Sequence, residues 1–129
     1  MVLDTSALLA LLLDEPEAEA FRAAVEEDTT RLVSAATLLE TALVIETRKG
    51  EPGGHELDVL VHKAEVVVVP VDPEQVSEAR RAYRRFGKGR HPAALNFGDV
   101  FAYALARTSG EPLLFKGDDF AKTDIGRVV

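Results

Sequence analysis

The chain has 129 residues, 47% hydrophobic and 29% charged, with no cysteine and a formal charge of −7. That is one domain, residues 1–129, with enough apolar material for a real core, and it excludes disulfides and thiolate metal sites. The apolar run from Ala7 to Leu13 is too short to span a bilayer, and Asp4 rather than a basic stretch precedes it. A cytoplasmic protein without membrane association is therefore expected.

In chain order, Met1 to Asp4 predicts a strand ending at Asp4, followed by a helix from Ser6 to Leu13. Pro16 is expected to open a second helix reaching about Asp28, since proline is tolerated in a first turn. Arg31 to Ser34 predicts a second strand and Ala35 to Lys49 a long helix, which Gly50-Glu51-Pro52-Gly53-Gly54 should break. A helix from about His55 to Ala64 leads into Val66 to Val69, a β-branched run expected in the buried interior of a parallel sheet. Pro73 starts a helix to about Phe86, and Gly87 to Pro92 is a loop. Then comes an almost wholly apolar helix from Phe97 to Ala106. Pro112 to Phe115 is the fourth strand, and Val128-Val129 is a candidate fifth. Strands alternating with helices predict an α/β fold around a parallel sheet of four to five strands.

Asp99 is the only charged residue between Pro92 and Ala106. A helix apolar on nearly every face is buried, and a carboxylate carried into such a place is costly unless paired, hydrogen-bonded or bound to a metal. Sites in open parallel sheets form outside the carboxyl ends of the strands. Asp4 falls there, as do Asp118 and Asp119 after the fourth strand, while Glu40 lies on an apolar face of the helix after the second. Each acid alone has an ordinary reading. Asp4 could cap a helix, Glu40 could reach solvent, Asp99 could close a capping box with Asn96, and Asp118-Asp119 could be turn residues. Together they would be mutually repulsive, since two unit charges 4 Å apart cost about 4 kcal/mol at an effective dielectric near 20. Such a cluster recruits cations. With only oxygen donors and three scattered histidines, the ion expected is Mg²⁺ or Mn²⁺ rather than zinc, and the chemistry is phosphoryl transfer.

Charge is unevenly distributed. Arg80, Arg81, Arg84, Arg85, Lys88 and Arg90 crowd into twelve residues, and no acid occurs from Ala79 to Gly98. This is either a solvated helix face or a phosphate-binding patch on an acidic protein.

The segments Val2-Leu3-Asp4-Thr5-Ser6-Ala7, Ser34-Ala35-Ala36-Thr37-Leu38-Leu39-Glu40, Phe86 to Asp99, and Leu113-Leu114-Phe115-Lys116-Gly117-Asp118-Asp119-Phe120 resemble, in that order, a PIN-domain ribonuclease. More closely, the chain is similar to a VapC-type toxin of a toxin–antitoxin pair, over essentially its whole length. The resemblance implies a three-layer PIN-like fold and an endoribonuclease site in which Asp4, Glu40 and Asp99 gather Mg²⁺ or Mn²⁺. Thr5 and Ser6 would support the first acid, and Asn96 would brace the loop presenting Asp99. Where many relatives carry a fourth aspartate this chain has Gly117, so Asp118 and Asp119 are both candidates, Asp118 being nearer that place. Arg80, Arg84, Arg85, Lys88 and Arg90 are expected to bind RNA phosphates; His91 could act in catalysis, but a loop histidine before proline is more often structural or a phosphate contact. The resemblance also implies a VapB-type antitoxin and a homodimer. The surplus apolar residues of Leu8 to Leu13 and Thr37 to Ile45 are compatible with an antitoxin-helix groove or with core alone.

Two other readings compete. A phosphoacceptor receiver module also carries acids at strand ends, but here Asp4 stands alone and the Val66 to Val69 strand ends in Pro70. A PIN fold that only binds RNA or a partner is the second. A phosphatase with an Asp-x-Asp pair is disfavoured because Ser6 occupies the second position.

Overall fold

The computed structural model describes residues 1–129. In chain order it contains β1 (Val2–Leu3), α1 (Thr5–Leu12), α2 (Ala18–Glu27), β2 (Leu32–Ser34), α3 (Ala35–Lys49), α4 (Glu51–Lys63), β3 (Val67–Val69), α5 (Pro73–Phe86), α6 (Asp99–Ser109) and β4 (Leu113–Leu114), with a short 3₁₀ turn at Phe120–Lys122. The strands form one parallel sheet in the order β3-β2-β1-β4. Val2 faces Leu32 on one side and Leu113 on the other.

Successive strand residues point to opposite faces of a sheet, so the dipeptide Val2-Leu3 feeds two cores. Val2 packs with Phe86, Tyr103, Leu105, Leu113 and Phe115 beneath α5 and α6. Leu3 packs with Met1, Leu8, Phe21, Val25 and Val33 beneath α1 and α2. The result is the expected α/β architecture, helices on both faces of a parallel sheet. No helix is long and apolar enough to cross a membrane.

The helix boundaries follow local chemistry. Ser34 caps α3 by accepting from the Ala36 amide, and Gly50 ends it at a φ of 69°. Asp72 caps α5 by accepting from the Gln75 amide, with Pro73 in the first turn. Both helices have the predicted limits.

Four details correct the sequence reading. The valine run forms β3, but β3 is an edge strand with Val67 56% and Val68 41% exposed; β-branching favours an extended backbone without deciding how many neighbours cover it. Only Gly50 breaks the chain between α3 and α4. Residues 51–54 already belong to α4, because proline fits a first turn and Gly53 permits close approach. A Cβ there would lie 2.9 Å from the Ile45 carbonyl. Phe97 precedes α6 rather than belonging to it. Finally, residues 128–129 form no fifth strand; the chain end is joined to the sheet by an isolated Leu113–Arg127 bridge.

Candidate active site

Asp4 ends β1 and caps α1. It is only 5% exposed, and its Oδ2 accepts from the Ser6 amide at 3.0 Å and the Ser6 hydroxyl at 2.7 Å. The same hydroxyl accepts from the Lys116 amide at 2.9 Å, which ties the segment after β4 to the end of β1. Burial raises the Asp4 pKa and the charge of Glu40 adds to the rise, while the Ser6 hydrogen bonds pull the other way. The capping role and the acidic-cluster role thus coexist in one side chain.

Glu40 projects from α3. Thr5 donates to its Oε1 at 2.6 Å, and Thr41 donates to the Thr5 hydroxyl at 3.2 Å. Its other oxygen lies against Gly98, where any Cβ would overlap it. This contact joins α3 to the start of α6.

Asp99 opens α6 and is locked reciprocally to Asn96. The Asn96 amide donates to Asp99 Oδ2, and the Asp99 amide donates to Asn96 Oδ1, each at 3.0 Å. Burial pushes its pKa up to about 6, with the Asn96 hydrogen bond opposing and the charges of Asp4, Asp119 and Glu40 reinforcing the rise. The structure thus brings Asp4, Glu40, Asp99 and Asp119 into one electrostatic group at the carboxyl edge of the sheet. Asp118 and Asp119 are both exposed in the turn before Phe120.

The donor chemistry suits a hard divalent cation. All the acids offer oxygen, and neither Asp4 nor Asp99 engages its Oδ1 in a side-chain hydrogen bond. No three acidic side chains close around a single point. Mg²⁺ is usually held through one or two carboxylates and retains several waters.

The basic residues divide. Arg85 pairs with Asp124 at 3.0 Å, where Tyr103 and Arg107 also converge. Arg81 pairs with Glu78. Arg80, Arg84, Lys88 and Arg90 are exposed and pair with no carboxylate. His91 is held in its loop, its Nδ1 accepting from the Ala93 amide and its ring edge-on to Phe86. Leu39 and Leu43 stand exposed on the outer face of α3, so part of the apolar surplus noted there is surface rather than core. Thr41 and Gly98 were not among the expected site residues. Their only sequence signal was adjacency to Glu40 and Asp99.

The sequence profile described as PIN domain matches residues 1–126. Ribonuclease VapC30 of Mycobacterium tuberculosis is 62% identical over 128 residues, covering 99% of this chain and 98% of that protein. Among solved structures, M. tuberculosis VapC20, described as a sarcin–ricin loop cleaving toxin, superposes with a TM-score of 0.78 at 17% identity over 96% of this chain and 95% of that one. VapBC2 of Rickettsia felis, crystallised on a DNA fragment from its promoter, gives 0.76 at 12% identity over 98% and 94%. The chain belongs to the PIN-domain family and, within it, to the VapC ribonucleases.

Proposed function

We propose that this protein is the endoribonuclease toxin of a toxin–antitoxin pair and that Asp4, Glu40 and Asp99, with Asp119 as the fourth acid, form its Mg²⁺- or Mn²⁺-dependent site. The observation that carries the reading is the convergence on Asp99 of the charges of Asp4, Glu40 and Asp119, from the end of β1, α3 and the turn after β4, with Glu40 acting on Asp4 as well. Asp4 and Asp99, both raised first by burial and then by neighbouring carboxylate charge, are groups whose charged form a bound cation would stabilise.

When bound, the ion would neutralise charge on the scissile phosphate and lower the pKa of a water. The chain's own residues do the positioning. Ser6 fixes Asp4, Thr5 and Gly98 fix Glu40, and Asn96 fixes Asp99. In the hydrolysis, a water oxygen bonds to phosphorus as the bond to the leaving ribose oxygen breaks, a carboxylate of this group takes the water's proton, and the departing ribose oxygen takes a proton from solvent. Arg80, Arg84, Lys88 and Arg90 are the free cations available to hold RNA phosphates, whereas Arg85 is engaged by Asp124.

The exposed Leu39–Leu43 face of α3 offers an apolar seat for a VapB-type antitoxin helix, and a homodimer is the expected resting assembly. The test incubates the purified chain, freed of antitoxin, with total RNA and Mg²⁺ or Mn²⁺, and sequences the new ends. Asp99→Asn and a chelator run beside it. Discrete ends requiring both Asp99 and metal are expected; identical patterns with wild type and variant would overturn the proposal.

A further inference from the structure

A groove of about 620 Å³ runs between α5 and α6, next to the acidic site but outside it. Arg80, Arg84 and Arg90 rim it, and Tyr83, Phe97 and Phe101 furnish its aromatic surface. Phe97 is 78% exposed. Its ring stands at 90° to that of Phe101, with centroids 5.0 Å apart, and most of the side chain is open to solvent. Only Gly98 separates Phe97 from Asp99, which limits the distance between their Cα atoms to about 7 Å. Arg90 lies 5.8 Å over the Tyr83 ring, and none of the three arginines pairs with a carboxylate.

From this geometry we infer that the groove is a nucleobase subsite for single-stranded RNA. Phe97 stacks a base next to the scissile phosphate, Tyr83 offers a second aromatic surface, and Arg80, Arg84 and Arg90 hold the intervening phosphates. The inference rests on the ribonuclease reading for the identity of its ligand, and it adds a place where neighbouring bases are engaged. Aromatic rings beside unpaired cations are the combination that single-stranded nucleic acid requires: stacking is tolerant of sequence, and the cations follow the backbone. A second copy of the chain fits less well. A two-fold contact sets the same patch against itself, and here that would bring two arginine-rimmed surfaces together against like-charge repulsion.

The experiment uses the full chain in chelator, so that no cleavage occurs, with a labelled random-sequence RNA decamer. Phe97→Ala is expected to weaken binding about 5- to 100-fold without altering the salt dependence. Arg84→Ala is expected to make the slope of log affinity against log salt shallower by about 0.7. The chain contains no tryptophan, so Phe97→Trp supplies a single indole reporter, expected to retain affinity and to be quenched when RNA binds. Wild-type affinity for Phe97→Ala, or an unquenched indole on bound RNA, would overturn the inference. So would a Phe97→Ala chain that turns from dimer to monomer while its RNA affinity per chain is unchanged. Phe97-dependent binding by a protein that cleaves nothing with Mg²⁺ or Mn²⁺ would sink the nuclease proposal and leave the subsite standing; cleavage with Phe97-independent binding would do the reverse.

Discussion

The carboxylate of Glu40 rests against the bare Cα of Gly98, where an added Cβ would lie 2.8 Å from Glu40 Cδ and overlap Oε2. The backbone at Gly98 is helical, with φ −67° and ψ −40°, so alanine is conformationally acceptable there. What it displaces is the end of a flexible side chain, held on its other side by Thr5. Gly98→Ala should therefore change thermal stability by less than about 1 kcal/mol while lowering cleavage about tenfold or more, because a shift of an ångström at a reacting group is costly. Thermal melts and initial rates on a defined RNA check this. A variant as active as wild type would show that the Glu40 position is not critical.

Ser6 carries a different load. Its hydroxyl donates to Asp4 and accepts from the Lys116 amide, so Ser6→Ala leaves an amide without its partner and deprives a buried carboxylate of a donor. A loss of about 1–3 kcal/mol in stability is expected, with a further rise in the Asp4 pKa. The double variant with Asp4→Asn should be less destabilised than the sum of the singles, by about 0.5 kcal/mol or more. Additive losses would mean that the two side chains act separately. Denaturant titrations of the four proteins decide it.

Elements with local signals were legible in the sequence, and relations between elements were not. α3 announced both ends through Ser34 and Gly50, and α5 its start through Asp72 and Pro73, whose effects act within a few residues. The valines of β3 announced a strand, but its place at the sheet edge depends on what packs beside it, which its own residues do not encode. Asp99 was conspicuous as a single charge in an apolar stretch, and its hydrogen-bonded pairing with Asn96 lies within four residues. The support around Glu40 was hidden for the opposite reason. Thr5 and Gly98 lie 35 and 58 positions away in the chain, and no local pattern links a threonine, a glutamate and a glycine at such separations. The same holds for Arg85, which looked like its basic neighbours until Asp124 was found beside it.

The pH dependence of stability in metal-free protein follows from Asp99. Its pKa rises from 3.8 to about 6 on folding, so the folded state binds the proton more tightly than the unfolded state. Stability from this group is then fully present below about pH 4 and is lost as pH rises through 6. Asp4 is raised by burial and contributes with the same sign. Asp28 is lowered by the N-terminal ammonium. Asp124 is lowered because Tyr103, Arg107 and Arg85 outweigh its burial. Both titrate below this window. Allowing for Asp99's partial exposure, a loss of about 1–2 kcal/mol is expected between pH 4.5 and 7.5, or about 3–6 °C in Tm. Asp99→Asn should flatten the curve and melt higher at pH 7.5, and Mg²⁺ should restore stability to the wild type alone. A pH-independent Tm in chelator would contradict the assigned electrostatics.

The two aspartates after β4 are separable by experiment. Both are exposed, and the charge of Asp119 is among the main causes of the rise at Asp99. That makes Asp119 the acid we propose, where place in the chain alone slightly favoured Asp118. Asp119→Asn should lower the Asp99 pKa, since a negative neighbour has been removed, and should reduce cleavage about tenfold or more, equivalent to about 1.4 kcal/mol. Asp118→Asn should leave the Asp99 titration in place and change cleavage less than about threefold, roughly 0.65 kcal/mol of barrier. Carboxyl-carbon NMR titrations of Asp99 in chelator, with initial rates in Mg²⁺, measure both effects on the same variants. If Asp118→Asn produced the larger loss and moved the Asp99 titration, the turn would have to present Asp118 to the site instead, and the fourth acid would be reassigned.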